Sequence, residues 1–113
     1  MTPFRIAQLD EIEPADCPCG QTRRAFLDDP DRIASMHLIE TTGEARSHYH
    51  KHLAELYLIL DGTGHLELDG RLVPVKPLSA VLIKPLCRHR VVGSLRFVNI
   101  PNPAFDPDDM WFD

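Results

Sequence analysis

The chain has 113 residues, 43% of them hydrophobic and 26% charged, ordinary proportions for one globular domain and too few residues for a two-domain enzyme. Its net charge of −5 lacks the clustered positive charge that nucleic acid or an anionic membrane surface requires, so neither is an expected partner. Ten prolines argue against long helices, and six histidines are an excess that needs a place.

The opening MTPFRIAQLDEIEPADC has no basic stretch leading into an apolar run, so no secretory leader is read there. No later apolar run approaches the ~20 residues of a membrane span, and a cytoplasmic protein is expected. The three cysteines, Cys17, Cys19 and Cys87, are an odd number, which predicts reduced thiols rather than a disulfide framework. Residues 1–33 read as an N-terminal arm that packs on the rest, with TRRAF as one turn of helix or a short strand. From Ile33 the pattern changes to short apolar and β-branched segments separated by turn signals. IASMHLIE predicts a strand and TTGEA a turn; SHYHKHLAELYLIL predicts one strand ending near His50 and another over 55–60. A strand over 65–68, an Asp69-Gly70 hairpin turn and a returning strand over 72–75 follow. SAVLIKP, HRVVG and LRFVNI complete eight or nine short strands. Such a set closes its exposed edges best as an all-β fold, a small β-barrel or double-sheet jelly roll over residues 34–100. The tail, 101–113, is rich in proline yet carries Phe105, Trp111 and Phe112, so it should dock on its own barrel or on a partner's.

His48, His50 and His52 alternate in HYHKH, and on a strand such residues share a face. Glu55 opens the next strand and His89 heads a later one. Histidines joined by a carboxylate form a nitrogen and oxygen donor set suited to one divalent transition metal, Fe, Mn, Co, Ni, Cu or Zn. Two histidines on an inward strand, a carboxylate from its neighbour and a third histidine can meet inside a small barrel. Arg46 shares the parity of His48 and reads either as a solvated charge or as a contact for an anionic ligand at the rim. Tyr57 shares the parity of Glu55 and reads either as core or as a pocket hydroxyl. Cys87 shares the parity of His89 and could lie near the metal, whereas Arg88 and Arg90 should point outward.

In this all-β setting the chain resembles the cupin superfamily, whose first motif is G(X)5HXH(X)3–4E(X)6G. Gly43 is followed by four residues rather than five, then His48-Tyr49-His50, four residues, Glu55, six residues and Gly62. The second motif, G(X)5PXG(X)2H(X)3N, is more degenerate. Pro85 and His89 are recognisable, Leu86 or Cys87 stands where a glycine is usual, and Gly93 replaces the asparagine. The resemblance implies a double-stranded β-helix and makes His48, His50, Glu55 and His89 the metal ligands. An alternative set using His50 and His52 falls outside the family spacing; His52 then belongs to the connecting loop. His37 and His65 have no motif support and read as structural or surface residues.

The family includes dioxygenases, isomerases, epimerases, decarboxylases and ligand sensors, and a fold does not choose among them. No P-loop, Ser-His-Asp set or dinucleotide fingerprint accompanies the histidines. The leading expectation is a metal-binding protein acting on a small organic molecule as a dioxygenase or isomerase. The alternative is a non-catalytic module that binds or senses a small molecule. A homodimer is expected, because small cupins commonly pair and the arm and tail could extend onto a partner.

Overall fold

The computed structural model describes residues 3–17 and 19–113, and their regular secondary structure is almost entirely strands. They are β1 (Ala15–Cys17), β2 (Gly20–Ala25), β3 (Met36–Thr41), β4 (Gly43–Glu44), β5 (Ala54–Asp61), β6 (Gly64–Leu68), β7 (Arg71–Val75), β8 (Ala80–Ile83), β9 (His89–Gly93) and β10 (Arg96–Asn102). Single 3₁₀ turns lie at Leu9–Glu11 and Pro107–Asp109. All paired strands are antiparallel and form two sheets, ordered β1-β2-β3-β10-β5-β8 and β4-β9-β6-β7. The radius of gyration, 13.7 Å, is close to the ~13 Å expected for a chain of about this size folded around one core. No helix among the described residues is long and apolar enough to cross a membrane.

Alternation along each strand sets what faces inward. In β5, Glu55, Tyr57 and Ile59 are buried while Leu56 and Leu58 between them are exposed, the period-two consequence of the pleat. The core between the sheets gathers Ile39, Tyr57, Ile59, Leu66, Val75, Ile83, Val91, Leu95 and Phe97. The predicted Asp69-Gly70 hairpin is present, both residues having positive φ, 48° and 81°, as a two-residue turn matched to strand twist demands. Gly62 lies at φ 85°, and a Cβ there would stand 2.5 Å from the Ser94 carbonyl oxygen. Only glycine fits that turn without displacing backbone.

Three expectations are corrected. First, 47–50 is not a strand: its ladder is reduced to two isolated bridges, His48 to His89 and Tyr49 to Trp111. Second, part of the TTGEA turn is the short strand β4, which pairs Gly43 with Gly93. Third, Cys17 and Cys19 are joined in a disulfide, leaving Cys87 as the free thiol; an odd count cannot reveal that two of three thiols are close enough to pair.

The arm supplies β2, which pairs along its whole length with β3. The tail returns over its own chain. Trp111 exchanges backbone hydrogen bonds with Tyr49, and Arg32 donates to the Ala104 and Phe105 carbonyls. Asp106 caps the final 3₁₀ turn through the Asp108 amide.

Candidate metal centre and ligand cavity

β5 brings Glu55 inward, β9 brings His89, and the bridged segment before β5 brings His48 and His50. One ligand atom from each lies within 4.8 Å of all the others. Glu55, His50 and His89 are buried and His48 is half-buried. The His50 and His89 Nε2 atoms each stand 2.9 Å from Glu55 Oε1, yet none of these three atoms makes a hydrogen bond. Close approach without alignment is the arrangement of donors aimed at a shared point.

The opposite edge of each ring explains the aim. His48 Nδ1 contacts the Arg46 carbonyl at 3.3 Å, His50 Nδ1 the Asp109 carbonyl at 2.7 Å, and His89 Nδ1 the Cys87 carbonyl at 2.9 Å. A carbonyl only accepts, so each Nδ1 must carry the proton and each neutral ring keeps its Nε2 lone pair inward. The donor set therefore fits a divalent metal. Burial, followed by the charge of His89, lowers His48 to about 4 and keeps it neutral. Burial alone would raise Glu55, but His50 and His89 overcome that and hold it far below the usual carboxylate range. Burial opposes a charge on His50, while Glu55 beside it prevails and raises its pKa. A metal taking that place would displace the proton.

Asn99 on β10 fixes the remaining carboxylate oxygen, its Nδ2 donating to Glu55 Oε2 at 2.5 Å. Asp109 fixes the loop. Burial pushes its carboxyl up, but the Lys51 and His52 amides, both at 2.9 Å, and Trp111 Nε1 at 3.1 Å hold it down. Neither residue was recognised from the sequence. A polar residue at an inward position of the apolar strand LRFVNI was a usable signal for Asn99; nothing local marked Asp109. Asp109→Ala is expected to loosen the loop carrying His50 and to weaken metal affinity roughly 10- to 100-fold, measured by competition with a chromophoric chelator.

His48, His50 and Glu55 open onto a cavity of about 140 Å³, and His89 Nε2 lies behind them, 2.9 Å from Glu55 Oε1. Tyr57 both belongs to the core and lines this cavity, with Phe97 at 4.7 Å and the edge of His89 at 6.3 Å. Arg46 is exposed at the cavity wall and stacks over Phe112, 4.1 Å from the ring centroid. His52 is an exposed loop residue. Cys87 does not join the cluster; it is half-buried against the core, and burial raises its thiol. Arg88 faces outward, pairing with Asp113 and stacking on Tyr49. Arg90 pairs with Glu67 across β6 and β9 but also reaches the cavity wall.

His37 is buried at the cavity and bonded to Ser35 Oγ at 2.8 Å. Burial, then the charge of Arg24, lowers its pKa to about 4. Above pH ~6.5 His37 is neutral both folded and unfolded; below it the unfolded chain takes up a proton that the folded chain refuses. Stability should therefore fall between pH ~6.5 and ~4, by up to about 3 kcal/mol from this group. Comparing denaturant midpoints of wild type and His37→Gln at each pH checks this: the wild-type slope should exceed that of the variant only in that window.

The family model described as "Cupin domain" matches residues 35–100. A search among curated proteins returned no significant match. Among solved structures, a protein from Planctomyces limnophilus is 42% identical with a TM-score of 0.91, the alignment covering 96% of each chain. Streptomyces Pac13 with uridine is 19% identical with a TM-score of 0.81 over 98% of this chain and 90% of that one. Pac13 is described as a nucleoside dehydratase. Ectoine synthase from P. lautus is 20% identical with a TM-score of 0.75 over 96% and 88%. With the family model spanning more than half of its residues, this chain belongs to the cupin domain family.

Proposed function

We propose that this protein holds one divalent transition metal through His48, His50, Glu55 and His89 and acts on a small organic molecule in the adjoining cavity, by dioxygenase or isomerase chemistry. The observation carrying this reading is the trio of Nδ1 contacts to the Arg46, Asp109 and Cys87 carbonyls, which turns three Nε2 atoms toward Glu55. The enzymes among its structural neighbours, a nucleoside dehydratase and ectoine synthase, support a catalytic role for this barrel. When bound, the metal supplies a Lewis-acidic or redox centre. The chain supplies the rest: Phe105 and Phe112 wall the cavity against water, Tyr57 forms its floor beside His89, and Arg46 meets ligand at the rim.

Metal analysis of freshly purified protein, with oxygen uptake and isomerisation assays on Fe-, Mn- and Ni-loaded samples, tests the reading. Near-stoichiometric metal with turnover is expected. Thermal stabilisation by a small molecule without turnover under any metal would indicate a binding or sensing module instead, and protein without metal affinity would overturn the metal assignment.

We also propose a homodimer. Leu56, Leu58 and Leu82 are 49, 40 and 58% exposed on the outer face of β5 and its edge neighbour β8, an apolar patch that a second copy would cover. Light scattering after size exclusion should give twice the chain mass.

A further inference from the structure

The arm strand β2 places a second set of polar groups in the cavity, opposite in character to the histidines. Thr22 and Arg24, two residues apart and therefore on one face, both line it. Thr22 Oγ1 and Arg24 Nε are buried without a hydrogen-bond partner. The Arg24 guanidinium stacks on Phe105, 5.4 Å from its centroid, and the same ring meets His50 at 6.5 Å. One phenyl ring thus connects Arg24 to the histidine cluster. No ion pair is formed by Arg24 or Arg46 among the described residues. Glu55 is the only carboxylate lining the cavity among them. A chain with net charge −5 therefore keeps a cationic cavity, even before a divalent metal adds to it. Buried donors without partners cost stability unless a ligand satisfies them.

We propose that Arg24 and Thr22 form an anion-binding subsite and that the molecule taken by this protein is a small carboxylate. This deepens the reading above and rests on the same cavity. The planar guanidinium matches a carboxylate, with the Thr22 hydroxyl as an added donor. Asn99 Oδ1, buried and without a partner because its Nδ2 is committed to Glu55, accepts from a hydroxyl or amine on the same ligand. In the sequence, TRRAF carries no signal that distinguishes this subsite from an arm packing on the rest.

Calorimetric titration of the metal-loaded protein with malonate, succinate and glutarate, and with their diamides, tests the subsite. At least one diacid should bind while its diamide does not, and Arg24→Gln should weaken that diacid roughly 10- to 100-fold with metal content unchanged. Thr22→Val, nearly isosteric, should weaken it several-fold, and Arg24→Lys should recover part of the loss; both guard against a folding defect in Arg24→Gln. Equal binding to wild type and Arg24→Gln, equal binding of diamides, or no binding of any diacid to wild type would overturn the proposal. Metal measured on the same samples separates the two readings: Arg24-dependent diacid binding by protein lacking metal affinity would remove the metal centre and leave the anion subsite standing.

Discussion

Replacing His89 with alanine is expected to strip metal from the purified protein, from near one equivalent per chain to below about a tenth. Loss of an outer hydrogen-bond partner costs metal sites about 10- to 100-fold in affinity, and loss of a direct donor should cost more. His89 is buried, its Nε2 is one of the two nitrogens 2.9 Å from Glu55 Oε1, and its backbone forms the bridge to His48. The variant therefore removes one donor, while the backbone bridge that places His48 survives the substitution. His52→Ala, in the exposed loop, should retain full occupancy. A folding readout sharpens the test. Ligand binding to the native state stabilises it by about 2.7 kcal/mol at a hundredfold excess over Kd, so a chelator should lower the melting temperature of wild type and leave that of His89→Ala unmoved. Equal metal content in wild type and His89→Ala would refute the assignment of this ligand.

The largest loss of stability is expected from Phe97→Ala. Phe97 is 2% exposed, sits on β10 between β3 and β5, and stacks on Tyr57, whose ring in turn meets His89. Truncating a buried phenylalanine removes its burial energy and leaves a cavity, typically about 3–5 kcal/mol. For a domain of this size that corresponds to roughly 10–25 °C in melting temperature. Tyr57 would lose its backing, so metal affinity should fall with stability in this variant. In Leu66→Ala, whose buried residue lies in the other sheet on β6, stability alone should fall. Calorimetry and chelator competition on both variants check the distinction; matched affinity losses would show that Phe97 has no part in supporting the site.

The strand plan was legible because it depends on local rules. Alternation along β5 and the φ signs of Asp69 and Gly70 are dictated by the residues themselves. Parity along HYHKH made His48, His50 and His52 candidates beside Glu55 and His89, and the resemblance of the motif spacing to cupins implied the set His48, His50, Glu55 and His89. Neither showed how they are held. The carbonyls that orient the rings come from residues 46, 87 and 109, and Asp109 lies 59 positions from His50. The glycine position of the second motif shows the same limit: Leu86 has φ 76° and donates its amide to the His50 carbonyl, so a leucine adopts a backbone state that sequence alone would give to glycine.

By itself, then, the sequence determined an all-β chain and the Asp69-Gly70 hairpin turn, which follow from periodicity and turn chemistry, while the four candidate metal donors came from the resemblance of its motif spacing to cupins. Only the tertiary structure decided that Cys17 and Cys19 pair, that Arg24 and Thr22 of the arm enter the cavity, that Cys87 stays out of it, and that the tail locks His50 through Asp109. Those outcomes depend on which distant segments close over one another. Closure is governed by the summed burial of two sheets and a tail, and no short stretch of the chain encodes it.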